Sequence, residues 1–259
     1  MLKRLLLGNK RLQKIWWKLF RLALKGMNYD RGHVPSANGE IFALQYVISS
    51  FPAEKKLTLF DVGANRGQYL TMASQQGGKR LAIFSFEPQS SAFEYLKKVA
   101  SAIENVQIEN IGFGAKRETV TLYRDTEASE FASLYPAQYE QYNVNLTIKE
   151  EVKLDTIDNY CSDHQIDRIH FLKLDVEGHE IAALTGAARM IEAGKIDFIQ
   201  FEFGMASVES RTFIKDFFRI LPGYTIYRIL PKGLEKLVYS EYAELFLTTN
   251  YLAVLNKVK

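Results

Sequence analysis

Short apolar runs alternate with stretches of helical periodicity along most of the sequence, and this alternation restricts the folds that the chain can adopt. Seven runs have the length and the β-branched and aromatic content of strands; they cover residues 57–61, 81–87, 106–110, 169–175, 196–202, 225–230 and 251–255. Helical patterns follow many of them, at 67–76, 90–102, 156–164, 177–193 and 208–221. We therefore predict an α/β fold with a doubly wound, mostly parallel seven-stranded sheet.

Two regions depart from this alternation. Residues 119–155 contain no crossover helix, and 119–123 and 151–154 are predicted strands of a β extension. The aromatic residues between them indicate either a loop or lid over a site or a structural insertion; they are Phe131, Tyr135, Tyr139 and Tyr142. No long helix precedes 251–255, so we expect the last strand to lie antiparallel to its neighbours.

Basic residues are concentrated at the N-terminus. Residues 1–32 contain nine lysines and arginines and one acid, a net +8, so the rest of the chain carries −5 of the overall +3. Apolar residues recur in this segment at helical spacing. We predict a basic amphipathic helix within 1–32 that is separate from a main domain of 33–259.

Two roles for this helix are compatible with the sequence. Either residues 1–25 lie on an anionic membrane surface, with Trp16, Trp17 and Phe20 among the headgroups, or the helix docks on the domain and covers part of the sheet or of the site mouth. The longest apolar run near the start, 5–7, is too short for a signal peptide, and the frequent cations exclude a membrane-spanning helix.

The cysteine content and the charge of residues 33–259 restrict the partners and the cellular location that we predict. The single cysteine, Cys161, excludes an internal disulfide and is typical of a reducing compartment. The acidic balance of 33–259 and the lack of a recognised nucleic-acid motif predict no nucleic-acid partner. We expect a cytoplasmic protein, peripheral on the inner face of the membrane if the helix binds lipid.

The first predicted strand runs into a glycine-bearing turn, Asp61-Val-Gly63-Ala64-Asn65-Arg-Gly67. A dinucleotide fingerprint places glycines at its first, third and sixth positions, but the third and sixth are Asn65 and Gln68 here. An acid two residues before the first glycine is unfavourable beside a diphosphate. It suits a ligand with a positively charged amino group.

The second and third predicted strands also end in polar residues. Glu87, within Phe86-Glu87-Pro88, follows Gly63 by 24 residues, the spacing at which an acid accepts hydrogen bonds from ribose hydroxyls. Asn110 and Gly112, after the third strand, either contact a nucleobase or form an ordinary turn.

Acids end four of the predicted strands: Asp61, Glu87, Asp175 and Glu202. Each alone is compatible with a helix cap. Together with the glycine turn they predict a ligand site, because open α/β sheets bind ligands at the carboxyl ends of their strands.

These motifs, with the 152–156 stretch, Lys173-Leu-Asp175-Val-Glu177-Gly-His179-Glu180 and Phe201-Glu202, resemble the FkbM-type methyltransferases. A looser likeness extends to 26–28 and to Asn38-Gly-Glu40, where the family is expected to have Ser at Asn38. The resemblance implies the class I (Rossmann-like) methyltransferase fold for 33–259, S-adenosylmethionine as methyl donor, and an alcohol oxygen on a sugar, polyketide or related metabolite as acceptor.

We assign cofactor binding to ten residues: Asp61, Gly63, Ala64, Asn65, Gly67, Phe86, Glu87, Pro88, Asn110 and Gly112. The candidates for the base that deprotonates the acceptor are His179, Asp175 and Glu202. His179 has a suitable intrinsic pKa, and in the first turn of a helix it either faces the site or is an exposed helix residue. Asp175 is better placed than His179 to act as the base, because it directly follows a strand. Its alternative role is to contact the cofactor or the acceptor hydroxyl. We assign no metal ligands: a Mg²⁺ ion that binds a diol at these strand ends stays the minority interpretation, because no Asp-Asp or Asp-Asn pair is present for it.

The sequence therefore predicts an S-adenosylmethionine-dependent O-methyltransferase acting on a sugar, a glycolipid precursor or a secondary metabolite. Its partners would be a small-molecule or glycan acceptor and, through residues 1–25, a membrane. Two alternatives stay open: a non-catalytic membrane-associated binding module with the same fold, and an NAD-dependent oxidoreductase.

Overall fold

The computed structural model describes residues 7–29 and 38–256, except for the side chain of Gln141. The strands are β1 (Leu57–Val62), β2 (Leu81–Phe86), β3 (Val106–Glu109), β4 (Gly112–Phe113), β5 (Glu118–Arg124), β6 (Gln138–Tyr139), β7 (Val144–Asn145), β8 (Ile148–Asp155), β9 (Ile169–Leu174), β10 (Ile196–Phe203), β11 (Tyr224–Leu230), β12 (Gly233–Lys236) and β13 (Thr249–Leu255). The helices are α1 (Gln13–Gly26), α2 (Glu40–Ser49), α3 (Gln68–Gly77), α4 (Ser90–Ala100), α5 (Ile157–Asp163), α6 (Glu180–Thr185), α7 (Ala188–Glu192), α8 (Ala206–Glu209) and α9 (Ile214–Ile220). Short 3₁₀ turns occur at Lys10–Leu12, Gly78–Arg80, Glu140–Tyr142 and Glu241–Ala243.

Among the described residues the large sheet has eight strands in the order β12-β11-β13-β10-β9-β1-β2-β3. The seven predicted strands are all present, and β12 adds a short antiparallel edge to β11. Strands β10, β9, β1, β2 and β3 pair in parallel, whereas β13 runs antiparallel between β10 and β11. This arrangement confirms the doubly wound fold and the antiparallel last strand.

The register of the central strands aligns their carboxyl ends. Val62 of β1 pairs with Phe86 on one side and with Leu174 on the other, and Leu174 pairs with Phe201. The residues that follow these four positions therefore meet at one level of the same edge. They include Glu87, Asp175 and Glu202, as the strand-end pattern predicts.

Apolar side chains alternate between the two faces of the sheet and form a core on each. Phe60 packs with Phe86 and Phe201 in one core, whereas its neighbour Leu59 packs with Leu44 and others in the second. Both faces of the central strands are thus buried, which explains their nearly continuous apolar sequences.

Three helical regions differ from the predicted boundaries. The segment 177–193 begins with a turn and then forms α6 and α7, which are separated at Gly186 and at Ala187, whose φ is −109° and ψ is 11°. Gly186 packs closely against Gly114, since a Cβ atom there would lie 2.1 Å from the Gly114 carbonyl oxygen. The segment 208–221 forms α8 and α9, with Arg211 between them at a φ of +55°. Helix α2 was absent from the predictions, since it is apolar on most sides and shows no polar stripe.

The two strands predicted within 119–155 are confirmed as β5 and β8, which pair antiparallel and form a second sheet with β4. Strands β6 and β7 form a small hairpin. Backbone hydrogen bonds between Tyr123 and Ser133, at 2.8 and 2.9 Å, hold the intervening loop against β5. The segment is therefore a folded β extension.

The N-terminal prediction of an amphipathic helix corresponds to α1, while residues 1–6 and 30–37 lie outside the described residues. Within α1, Leu24 is the buried residue. The chain just after it is attached to the sheet: the amide of Asn28 donates to the Ile229 carbonyl at 3.3 Å, and Arg228 donates to the Met27 carbonyl. No helix among the described residues has the length and apolar character needed to span a membrane.

Candidate active site

A pocket of about 260 Å³ opens at the carboxyl edge of the large sheet. Nine of the thirteen predicted site residues line it: Gly63, Ala64, Asn65, Glu87, Pro88, Gly112, Asp175, His179 and Glu202. They follow β1, β2, β3 and β9 in the chain or, in the case of Glu202, lie near the end of β10, and the parallel sheet brings these positions together. The other four, Asp61, Gly67, Phe86 and Asn110, lie behind the pocket wall.

The turn after β1 is held by backbone contacts. The N–H groups of Gly63 and Ala64 both donate to the Phe86 carbonyl at 3.0 Å. Gly63 has a φ of +80°, and a Cβ atom there would lie 1.8 Å from the carbonyl oxygen of Asp175. Glycine is therefore required at this position by the neighbouring strand end as well as by the turn.

Glu87 is fixed at the wall of the pocket by two backbone donors. Its Oε2 accepts a hydrogen bond from Asn65 N, and its Oε1 accepts one from Gln89 N, both at 2.8 Å. Burial raises the pKa of Glu87 to about 7, although these two hydrogen bonds oppose the shift. Each oxygen retains a second lone pair for a ligand hydroxyl.

Asp61 is fully buried and pairs with Lys173, which lines the pocket. Its Oδ1 lies 3.4 Å from Lys173 Nζ, and the same ammonium lies 3.0 Å from Asp175 Oδ2. Burial lowers the pKa of Lys173, but Asp175, Asp61 and Glu40 outweigh that effect and hold it above its usual value. Asp61 thus keeps Lys173 charged and in place, and its predicted role in cofactor binding stays a prediction.

Three further predicted residues support the pocket from behind. The ring of Phe86 lies in the core, 4.6 Å from that of Phe113 between centroids. The amide of Asn110 donates to the carbonyls of Glu87 and Pro88, at 2.8 and 3.1 Å, and so braces the turn after β2. Gly67 precedes α3 in a left-handed conformation, and a Cβ atom there would lie 3.2 Å from Leu96.

An apolar slot adjoins Glu87. Pro88, Gly112 and Phe113 form it together with Leu122 and Leu154 from the β extension. A Cβ atom at Gly112 would lie 2.7 Å from Leu154 Cδ2, so a larger residue at Gly112 would displace that leucine. The slot is suited to a flat apolar group such as a nucleobase.

Acids crowd the opposite side of the pocket. Asp175, Glu177 and Glu202 each present a carboxylate oxygen within 4.8 Å of the others. Burial, then the charge of Asp175 and of further acids, raises the pKa values of Glu177 and Glu202 well above their usual range. Glu177 is in a left-handed turn before α6, with a φ of +49°, and not in a helix as predicted.

Glu180 holds this turn from within α6. Its Oε1 accepts hydrogen bonds from Val176 N at 3.2 Å and from Gly178 N at 3.3 Å. Burial raises the pKa of Glu180 to about 7. The loop that carries Asp175 and Glu177 is therefore tied to the start of the following helix.

His179 lines the pocket instead of facing solvent, which the sequence had left open. Its Nδ1 lies 3.0 Å from the hydroxyl oxygen of Tyr135, and burial lowers its pKa. The imidazole is thus neutral at neutral pH. Tyr135 belongs to the β extension, so this contact joins two distant parts of the chain.

The loop within the β extension closes one side of the pocket. Asn65 Nδ2 donates to the Ser129 carbonyl at 3.0 Å, and Ser133 Oγ donates to the Glu177 carbonyl at 2.7 Å. Ser129, Glu130, Ala132 and Leu134 line the pocket. The loop therefore contacts both the glycine turn and the acidic side.

Several pocket residues were absent from the predicted site: Asn38, Glu40, Tyr69, Lys173 and Asn250. Glu40 is buried and accepts hydrogen bonds from Asn38 at 3.0 Å and from Gln200 at 3.2 Å. Lys173 carried a readable signal, since a cation inside a buried strand needs a partner. Glu40 lay within the looser family likeness at Asn38-Gly-Glu40 but was not assigned to the site, and Asn250 carried no signal. Both residues reach the site through long-range packing.

A family model described as the methyltransferase FkbM domain matches residues 61–231. Among solved structures, the chain is similar to a methyltransferase FkbM from Methylobacillus flagellatus KT, with 17% identity and a TM-score of 0.46; the match covers 78% of this chain, which spans 44% of that one. It is also similar to precorrin-6y C5,15-methyltransferase from Geobacter metallireducens GS-15, with 10% identity, a TM-score of 0.43, and coverage of 83% and 87% of the two chains.

A third similar structure is the N-terminal domain of human METTL16 in complex with SAH, with 10% identity, a TM-score of 0.45, and coverage of 87% and 72% of the two chains. No curated protein sequence matches the chain. The family model covers more than half of the chain, and its motifs lie on the sheet edge described above. The chain therefore belongs to the FkbM methyltransferase family and has the class I methyltransferase fold.

Proposed function

We propose that this methyltransferase uses S-adenosylmethionine and methylates a hydroxyl oxygen. The negative charge of the pocket lining is the observation that supports S-adenosylmethionine as the cofactor. Among the described residues that line it, six have carboxyl groups and Lys173 has the ammonium group. Such a lining disfavours the diphosphate of a dinucleotide, and hence the oxidoreductase alternative, and it favours positively charged sulfonium and amino groups.

The shape of the pocket supports binding of the nucleoside part of S-adenosylmethionine. Glu87 stands between the glycine turn and the apolar slot, with both carboxylate oxygens already oriented by backbone N–H groups. A ribose diol at this point would donate to the remaining lone pairs of Glu87, and an adenine ring would then fill the slot. The glycine turn leaves room for the ligand backbone to pass close to the chain.

S-adenosylmethionine supplies a methyl group on a sulfonium centre, which is already activated for displacement. The chain must hold the acceptor oxygen in line with that group and take its proton. His179 is neutral, and when its Nδ1 donates to the Tyr135 oxygen its Nε2 is free to accept a proton. Asp175 and Glu202 line the same pocket and are the other two candidates for the base.

The acceptor we propose is a hydroxyl group on a sugar, a glycolipid precursor or a secondary metabolite. The acidic lining disfavours an anionic reacting group in the pocket. Ala132 and Leu134 of the β extension add apolar surface beside His179, as suits a metabolite with an apolar face.

Calorimetric titration with S-adenosylhomocysteine and, separately, with NAD⁺ tests the cofactor. We expect the first to bind with micromolar affinity and the second not to bind. Binding of NAD⁺ alone would overturn the proposal.

Once binding of S-adenosylhomocysteine is shown, transfer of labelled methyl from S-adenosylmethionine to a panel of neutral glycans and alcohols tests O-methylation. Cofactor binding without transfer to any hydroxyl would favour the non-catalytic module.

We also propose that α1 places the enzyme on an anionic membrane. Its apolar residues are exposed: Leu22 by 68%, Trp17 by 61% and Ile15 by 53%. Four cations share one stripe of the helix and are spaced four, three and four residues apart: Lys14, Lys18, Arg21 and Lys25. A basic stripe beside an exposed apolar face is typical of helices that lie in the membrane interface.

Vesicle sedimentation tests this location. We expect the protein to bind phosphatidylglycerol vesicles and to bind phosphatidylcholine vesicles weakly. Trp17→Ser combined with Leu22→Ser should release it, whereas Tyr242→Ser, at an exposed aromatic residue outside the helix, should not. If the double variant keeps its vesicle affinity but loses thermal stability, the helix docks on the domain instead.

A further inference from the structure

Two consecutive loops place three carboxyl groups around one point of the pocket. Asp175 and Glu177 follow β9, and Glu202 lies near the end of β10. Their nearest oxygens all lie within 4.8 Å of one another. Three oxygens bound to one octahedral Mg²⁺ are about 3 to 4 Å apart, so side-chain shifts of under roughly 1 Å would bring them into such a shell.

The described residues compensate the charge of this group only in part. Lys173 is the one lysine or arginine among the described pocket-lining residues, and it already pairs with Asp61 and Asp175. Glu177 and Glu202 are half-buried beside each other, and carboxylates at such positions need a cation or a proton.

A second observation comes from Glu180, outside this group of three. Its side chain is 2% exposed, and its Oε2 has no hydrogen-bond partner while Oε1 accepts two backbone donors. Glu180 lines a cavity of about 30 Å³ together with Glu177 and Glu202. A cavity of that volume has room for a water molecule, which would connect Glu180 to an ion held by the other acids.

We propose that Asp175, Glu177 and Glu202 bind a divalent cation that prefers oxygen ligands, Mg²⁺ or Mn²⁺, with Glu180 holding a water of its shell. The ligand set consists of carboxylates without sulfur or imidazole, which selects this class of ion. The sequence offered no adjacent acidic pair for a metal, because Glu177 and Glu202 are far apart in the chain and meet only at the sheet edge.

Its role in catalysis rests on the proposed function. A cation at this position would bind the acceptor oxygen, together with a neighbouring oxygen of a diol, and lower the pKa of the reacting hydroxyl. Acceptors with two adjacent hydroxyl groups would then be preferred over those with one.

Mn²⁺ titration of the full-length, chelator-treated protein, followed by electron paramagnetic resonance, tests the site directly. The titration is made with and without S-adenosylhomocysteine. We expect one bound Mn²⁺, displaced by Mg²⁺, and a loss of affinity of at least about tenfold in Glu177→Gln and in Glu202→Gln. Glu209→Gln, at an exposed acid of α8, is the matched control and should bind as the wild type does.

Each outcome decides the inference. Absence of a bound Mn²⁺ under both conditions, or equal affinity in the wild type and in both Gln variants, overturns it. Retained S-adenosylhomocysteine binding shows that the variants are folded, so lost Mn²⁺ binding is then assigned to the ligands. Mn²⁺ binding without any S-adenosylhomocysteine binding would support the cation site and contradict the proposed cofactor.

Discussion

The two sides of the pocket hold their carboxyl groups in different ways. On the proposed cofactor side, formed by the 63–65 turn, Glu87 and Pro88, the Glu87 carboxylate accepts two backbone hydrogen bonds at 2.8 Å. On the acidic side, formed by Asp175, Glu177, His179 and Glu202, the carboxyl groups crowd one another and their pKa values rise. The first side is preorganised before a ligand arrives. The second stores unfavourable charge that a cationic ligand or metal would relieve.

Gly63→Ala should have the largest effect on stability, because Gly63 packs directly against the chain that carries the acidic side. The added Cβ would lie 1.8 Å from the Asp175 carbonyl oxygen at a residue whose φ is +80°. We expect the free energy of unfolding to fall by at least about 3 kcal/mol, measured by urea denaturation. Gly233→Ala is the control, since a Cβ there meets nothing within 4 Å. Equal stability of the two variants would show that the turn adapts without cost.

His179→Ala should lower turnover without weakening cofactor binding. Loss of the base is expected to lower the turnover of an acceptor found by screening by about 100-fold, with little change in S-adenosylhomocysteine affinity. The control is His164→Ala, at an exposed histidine remote from the pocket lining. Unchanged turnover in His179→Ala would assign the base to Asp175 or Glu202.

Glu87→Ala should have the opposite profile. Removing the acceptor of two ribose hydrogen bonds is expected to weaken S-adenosylhomocysteine binding by at least about tenfold, as measured by calorimetry. Stability should be retained, because the buried carboxylate is itself costly. Glu94→Ala on the surface of α4 should bind normally. Wild-type affinity in Glu87→Ala would remove this residue from the cofactor site.

The pH dependence of cofactor binding should show a smaller effect of the same residue. Burial raises the pKa of Glu87 to about 7, so the ligand-free protein holds a proton there below that pH. Ribose hydroxyls donate to the ionised form, and affinity should therefore fall by up to roughly tenfold from about pH 8 to about pH 6. Glu87→Gln should lose this dependence. A flat profile in the wild type would mean that the carboxylate stays ionised.

The same shift affects folding with the opposite sign. Above the ordinary carboxyl pKa of 4.5 the unfolded chain releases the proton that folded Glu87 keeps up to about pH 7. The stability contributed by this group is therefore present below about pH 4.5 and is lost as the pH rises through about 7. Urea denaturation of the wild type and of Glu87→Gln over this range would measure the difference.

Local patterns determined much of the fold and of the cofactor side. Each of the seven predicted runs is a strand, and in the central strands burial on both faces explains the continuous apolar sequence. Gly63 and Glu87 were recognisable from the sequence because each depends on its close neighbours in the chain. Gly63 belongs to a tight turn after a strand, and Glu87 ends the next parallel strand. The early part of the chain, including α2 with Glu40, was missed because its apolar residues show no helical stripe.

Only the tertiary structure decided the rest of the site. It placed Lys173 between Asp61 and the pocket, and it brought Leu122, Leu154 and Tyr135 of the β extension over the sheet edge. It also joined Glu177 to Glu202, which no spacing in the chain reveals. The physical reason is that a strand end or a turn depends on neighbouring residues, whereas the second wall of the pocket forms only when segments distant in sequence pack against each other and share their buried charge.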